Sequence, residues 1–111
     1  MTARESEVEA YFVERVKALG GYTRKVKWLG RNKAPDRRAG LPATGCNHRF
    51  VGYVGRPARA FWVEFKAEGL AATFPNDAHE RAQHREHQRM RACGEVVYVI
   101  DSKAGVDEVL R

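Results

Sequence analysis

Phe61-Trp62-Val63-Glu64-Phe65-Lys66 is the stretch on which the reading of this chain turns. Phe61, Val63 and Phe65 alternate with Trp62, Glu64 and Lys66, which is the period of two of a β-strand. One face is therefore apolar, and the other ends in a carboxylate and an ammonium side by side. Such a pair at one end of an apolar strand is either a solvated ion pair or part of a site. The tripeptide alone does not decide between them.

The residues upstream narrow the choice. Pro35 is followed by Asp36, the only acidic residue between Leu19 and Glu64. Around it crowd Arg24, Lys25, Lys27, Arg31, Lys33, Arg37 and Arg38. A lone Asp there is either a local counter-charge or a metal ligand in a phosphate-binding surface. Mg²⁺ keeps several waters and is held by one or two carboxylates plus substrate phosphate. Asp36 and Glu64 can supply the carboxylates, and the backbone carbonyl of Phe65 can add an oxygen.

Moving outward, Val8, Phe12, Val16 and Leu19 recur at helical spacing and predict a first helix over roughly 3–19. Thr2 with Glu5, or Ser6 with Glu9, can form a capping box at its start, and Gly20-Gly21 can stop it. Tyr22 to Trp28 alternates as a half-buried strand, with Tyr22, Val26 and Trp28 as core aromatics and aliphatics. Residues 39–48 are rich in turn formers and predict an excursion between strands. Phe50 to Val54 is a short candidate strand. Asn76 or Asp77 can cap a second helix running to about Cys93 and ended by Gly94. Its apolar face (Ala78, Ala82, Met90, Cys93) is thin, so one side of it is expected to border a polar site. Val96 to Ile100 is a continuous apolar run, as in a strand covered on both faces. Val106, Val109 and Leu110 suggest a short closing helix.

The chain has 111 residues, room for one domain over 1–111, and 43% hydrophobic residues, enough for a core. Its formal charge is +6, with 20 Lys+Arg against 14 Asp+Glu, which suits a polyanionic partner such as nucleic acid. Cys46 and Cys93 lie far apart and form no close-spaced metal motif, so reduced thiols and a cytoplasmic setting are expected. Met1 to Glu5 is charged, with no apolar signal segment, and no apolar run approaches membrane-spanning length. His84 and His87 with Cys93 lack the paired cysteines of a zinc site, and the histidines are expected to decorate a helix near DNA.

The order of these motifs resembles the PD-(D/E)XK nuclease superfamily, and within it the VRR-NUC proteins, many of them from phages and prophages. The resemblance rests on Glu5-Ser6-Glu7-Val8-Glu9-Ala10-Tyr11-Phe12, on Val16 to Gly21, and on Ala34-Pro35-Asp36-Arg37-Arg38. It continues in Trp62 to Gly69, in Gln83 to Gly94 and in Val96 to Ser102. It spans nearly the whole chain. The departure is the stretch 39–59, which is long and irregular for the family, as an added substrate loop or a surface insertion.

The resemblance implies an α/β fold of the restriction-endonuclease type. A mixed central sheet is flanked by helices in the order helix-strand-strand-strand-helix-strand. It implies that Asp36 and Glu64 bind Mg²⁺ or Mn²⁺, that Lys66 orients or deprotonates the attacking water, and that Gln83 faces the site from the second helix. It also implies an acid from the first helix: Glu9 by its distance from Gly20, or Glu5 one turn earlier. The stretch Arg24 to Arg38 would track the phosphate backbone. The expected activity is metal-dependent endonucleolytic cleavage of DNA, on branched substrates such as four-way junctions, by a homodimer. The competing reading is a basic module that holds nucleic acid without cutting it. The Asp36, Glu64 and Lys66 set weighs against that reading, because simple phosphate binding has no use for buried carboxylates that repel DNA.

Overall fold

The computed structural model describes residues 4–27, 34–44 and 55–111. Its elements are α1 (Glu5–Ala18), β1 (Tyr22–Lys25), β2 (Arg37–Leu41), β3 (Arg59–Phe65), α2 (Ala78–Ala92), β4 (Val97–Ile100) and α3 (Lys103–Leu110). The strands form one sheet in the order β1-β2-β3-β4. The first two pairings are antiparallel, and β3 runs parallel to β4. A parallel neighbour needs a crossover connection, and α2 supplies it. This is the mixed α/β sheet with flanking helices that the sequence leads one to expect.

The core forms on the sheet face that carries Phe61, Val63 and Phe65. Val8, Phe12 and Val16 of α1 are fully buried against it, together with Ala39, Ile100, Val106 and Leu110. Phe12 meets Phe61 and Phe65 edge to face, with ring centroids 6.3 and 5.4 Å apart. The hydroxyl of Tyr11 donates to Asp107 Oδ1 at 2.7 Å and ties α1 to α3. Replacing Phe12 by Ala would cost about 3–5 kcal/mol, the usual price of removing a buried ring.

Local chemistry sets the helix ends. At the close of α1, Gly20 has φ 81°, a conformation that only glycine adopts without strain. Its N–H and that of Gly21 donate to Lys17 O and Val16 O, which satisfies carbonyls left open by the last turn. Gly94, with φ 91°, ends α2 in the same way. Asp77 starts α2 by accepting from Glu80 N at 2.8 Å. The start of α1 departs from expectation: Arg4 is the capping residue, without a side-chain cap bond. Ser6 therefore lies inside the helix and makes no capping box, and Thr2 lies outside the described residues.

The strands also depart from expectation in places. The middle strand is Arg37–Leu41, which runs into the first residues of the segment expected to be an excursion, while the candidate strand Phe50–Val54 lies outside the described residues. β2 is a central strand built of small residues. Ala39 is fully buried beneath α1, and the Tyr22 ring lies so close to Gly40 that an added Cβ would sit 2.4 Å from Tyr22 Cε1. β1 stops at Lys25, and Tyr22 is 49% exposed rather than a core aromatic. Trp28 lies outside the described residues. Val96 is exposed, and β4 begins one residue later than the apolar run.

Candidate active site

The site forms where β2 starts and β3 ends. Arg37 pairs with Val63, so one further step of the antiparallel register sets Asp36 opposite Glu64. Residues directly opposite in such a ladder point to the same face, with Cβ atoms about 4.5–5.5 Å apart. Asp36 Oδ2 accepts a hydrogen bond from Phe65 N at 3.0 Å, which fixes its carboxylate against the neighbouring strand. Phe65, whose carbonyl oxygen is expected to add a ligand, also meets Asp36 through its N–H.

Glu64 is 2% exposed. Burial, then the hydrogen bond and negative charge of Asp36, push its carboxyl up to about 9, against the lowering pull of Lys66. Glu64 therefore keeps its proton at neutral pH and shares it with Asp36. Two facing carboxylates without a cation cannot both ionise at low cost.

Lys66 follows at the end of β3, where its N–H donates to Ile100 O at 2.9 Å. Its ammonium reaches Gln83 Oε1 at 2.9 Å and Glu80 Oε2 at 3.1 Å, and lies 5.1 Å from the centre of the Phe74 ring. Gln83 bridges the two charged residues, since its Nε2 donates to Glu64 Oε1 at 3.3 Å. The side of α2 that meets the site is therefore polar. Gln83 and His87, one turn apart, are its buried residues, whereas Ala78 and Cys93 are exposed.

Two acids of α1 approach from the other side. Burial and the charge of Asp36 raise the carboxyl of Glu5, while Lys66 lowers it, so Glu5 lies within electrostatic reach of the centre. Glu9 is committed elsewhere. Its Oε2 accepts from Arg37 Nε at 2.6 Å and lies 3.4 Å from Lys25 Nζ.

Strand alternation divides the basic set instead of gathering it. Lys25 and Arg37 stand opposite each other on the α1 side and hold Glu9, and Arg37 also donates to Thr23 Oγ1 at 3.1 Å. Arg24 and Arg38 form the next pair, on the opposite face. Arg24 lies 5.2 Å over the Tyr22 ring, and Arg38 lies 5.1 Å over Trp62 and 3.5 Å from Glu95. Lys27 is exposed, and Arg31 and Lys33 lie outside the described residues.

The sequence reading missed His87 and Glu80. His87 was expected to decorate a helix surface, but it is fully buried, with Nε2 3.5 Å from Glu64 Oε1. Burial, with the charges of Arg91, His84 and Lys66 adding to it, pulls its ring down to about 4, so it is neutral. The signal was available: with Asp77 as the cap, residues 80, 83 and 87 recur on one side of α2.

Among the described residues, no three His, Cys, Asp or Glu side chains are grouped to hold a cation by themselves. The oxygens of Asp36 and Glu64 fit a hard cation that completes its shell with water and phosphate, such as Mg²⁺ or Mn²⁺.

Paired carboxylates on adjoining strands, with a lysine two residues beyond the second, form the arrangement that the PD-(D/E)XK resemblance leads one to expect. The chain is 33% identical over 100 residues to "Putative nuclease p44" of Acyrthosiphon pisum secondary endosymbiont phage 1, covering 90% of this chain and 85% of that protein. A solved structure described as a VRR_NUC domain matches with a TM-score of 0.66 and 32% identity, over 97% of this chain and 95% of that one. The chain belongs to the VRR-NUC family of nucleases. No family model matches it.

Proposed function

We propose that this chain is a Mg²⁺- or Mn²⁺-dependent endonuclease that hydrolyses phosphodiester bonds in DNA, acting as a homodimer on branched substrates such as four-way junctions. The observation that carries the reading is the buried Glu64 carboxyl set against Asp36, with Lys66 at the same strand end. A structural ion pair has no need of a second, buried acid.

Asp36 and Glu64 would hold the metal. When bound, a divalent ion supplies a Lewis acid that offsets the charge of the scissile phosphate. Lys66 sits in an ion pair with Glu80, which suits orienting the attacking water and stabilising charge on phosphate better than abstracting a proton. Gln83 positions Lys66 and Glu64 relative to each other. Glu5 is the acid that α1 contributes, and Glu9 instead holds Arg37 and Lys25. Arg24 and Arg38, on the sheet face away from α1, and the exposed Lys27 are the natural phosphate contacts, with Arg38 only loosely held by Glu95 at 3.5 Å, whereas Arg37 is drawn to Glu9 at 2.6 Å with Lys25 beside it. One site per chain makes paired cuts across a junction a task for two copies. Among the described residues, no helix is long and apolar enough to cross a membrane.

Linear, flap and four-way-junction DNAs, each incubated with Mg²⁺, Mn²⁺ or EDTA, test the reading. Internal cuts that need the metal and are fastest on the junction are expected. Binding without cutting under every condition would leave a DNA-binding module instead.

A further inference from the structure

His87 is the buried group that this reading leaves without a task. It is fully buried, and among the described residues neither ring nitrogen has a hydrogen-bond partner. Leaving a buried polar group unpaired costs about 1–3 kcal/mol, a cost that an apolar side chain of similar size avoids. The ring is nevertheless held firmly. It stacks on Phe74 with centroids 5.7 Å apart and planes 26° from parallel. That stacking aims Nε2 at Glu64 Oε1 from 3.5 Å, beyond the usual hydrogen-bond length by a few tenths of an ångström.

Gln83, one turn earlier on α2, donates to the same oxygen from 3.3 Å. An amide N–H and a ring nitrogen from successive turns of one helix thus converge on Oε1. The other oxygen of Glu64 is left to whatever Asp36 and Glu64 share.

We propose that His87 is a positioning residue for Glu64, its Nε2–H closing with Gln83 on Oε1 so that the remaining oxygen is set for a divalent cation. The proposal rests on the nuclease reading of the Asp36 and Glu64 pair. Groups that orient a metal-ligating carboxylate alter metal affinity without touching the ion, by roughly 10- to 100-fold.

Calorimetric titration with Mn²⁺ of the whole chain as wild type, His87→Met and His87→Gln tests it, with thermal melts of each in EDTA. Met fills the space without a donor, and Gln carries an amide N–H at a similar reach. H87M should melt no lower than wild type in EDTA yet bind Mn²⁺ roughly 10- to 100-fold more weakly. H87Q should recover most of the affinity. Unchanged Mn²⁺ affinity in H87M would overturn the proposal, as would H87Q binding no better than H87M. Loss of the fold in H87M would also overturn it, because His87 would then be a packing residue. A wild-type protein that takes up no Mn²⁺ would be a different failure, removing the metal-dependent nuclease reading itself.

Discussion

Glu64→Gln should make the metal-free protein more stable at neutral pH, although it removes a residue at the centre of the site. The carboxyl is held at about 9 in the folded chain against an ordinary value of 4.5. Between those values the folded state binds the proton and the unfolded state does not. The contribution of Glu64 is therefore fully present below about 4.5 and is lost as pH rises towards about 9. At about 1.36 kcal/mol per pH unit, the loss between 4.5 and pH 7 is about 3 kcal/mol, an upper figure because Asp36 shares the charge. Gln has no such penalty, and its amide can donate to Asp36 as the protonated acid does. His87 works in the opposite sense. Its ring is held at about 4 against 6.5, so its contribution is present above 6.5 and is lost as pH falls through 4. Urea unfolding in EDTA at several pH values between 5 and 9, with wild type and E64Q side by side, isolates Glu64 because His87 is common to both. E64Q should gain on wild type steadily with pH, by up to about 3 kcal/mol at pH 7. An E64Q protein that is less stable than wild type at pH 8, or that follows the same pH slope, would refute the buried, proton-sharing pair.

Lys66→Ala should abolish cleavage while sparing the fold and most DNA affinity, because its task falls in the transition state; single-turnover assays with DNA-binding measurements check this. Replacing Arg24 and Arg38 together by Gln should flatten the salt dependence of DNA binding, by roughly one unit of slope per lost phosphate contact. The same change at Lys25 and Arg37 should act mainly through Glu9, and an equal loss of slope there would contradict the assignment of faces. Adding Mn²⁺ should raise the melting temperature of wild type more than that of Asp36→Asn, which a thermal-shift series reads directly.

What the sequence made legible is what is local. The alternation in Phe61 to Lys66, the helical spacing of Val8, Phe12 and Val16, and the stops at Gly20 and Gly94 depend on residues near one another in the chain, and each reappears in the structure. β2 was hidden because a central strand normally shows itself by bulk. Here Ala39 and Gly40 are small: Ala39 lies beneath α1, and the Tyr22 ring takes the room beside Gly40. On α2 the thin apolar face did point to a polar side, and the resemblance placed Gln83 on it, but the buried His87 was not legible because an apolar pattern points away from it. The choice between Glu5 and Glu9 is not local either. Arg37, which holds Glu9, arrives from a different strand. The basic stretch reads as one patch in sequence, but a period of two sends its neighbours to opposite faces.

Calorimetric titration of wild type and Asp36→Asn with Mn²⁺, at pH 7 and again at pH 8, bears most directly on the paired carboxylates. With Glu64 holding its proton to about 9, Mn²⁺ must displace that proton, so binding should tighten by up to roughly tenfold over this one pH unit and release protons to the buffer. D36N should lose most of the affinity at both pH values. Equal Mn²⁺ binding by wild type and D36N, with no dependence on pH, would mean that Asp36 and Glu64 are structural and that no metal centre is built on them.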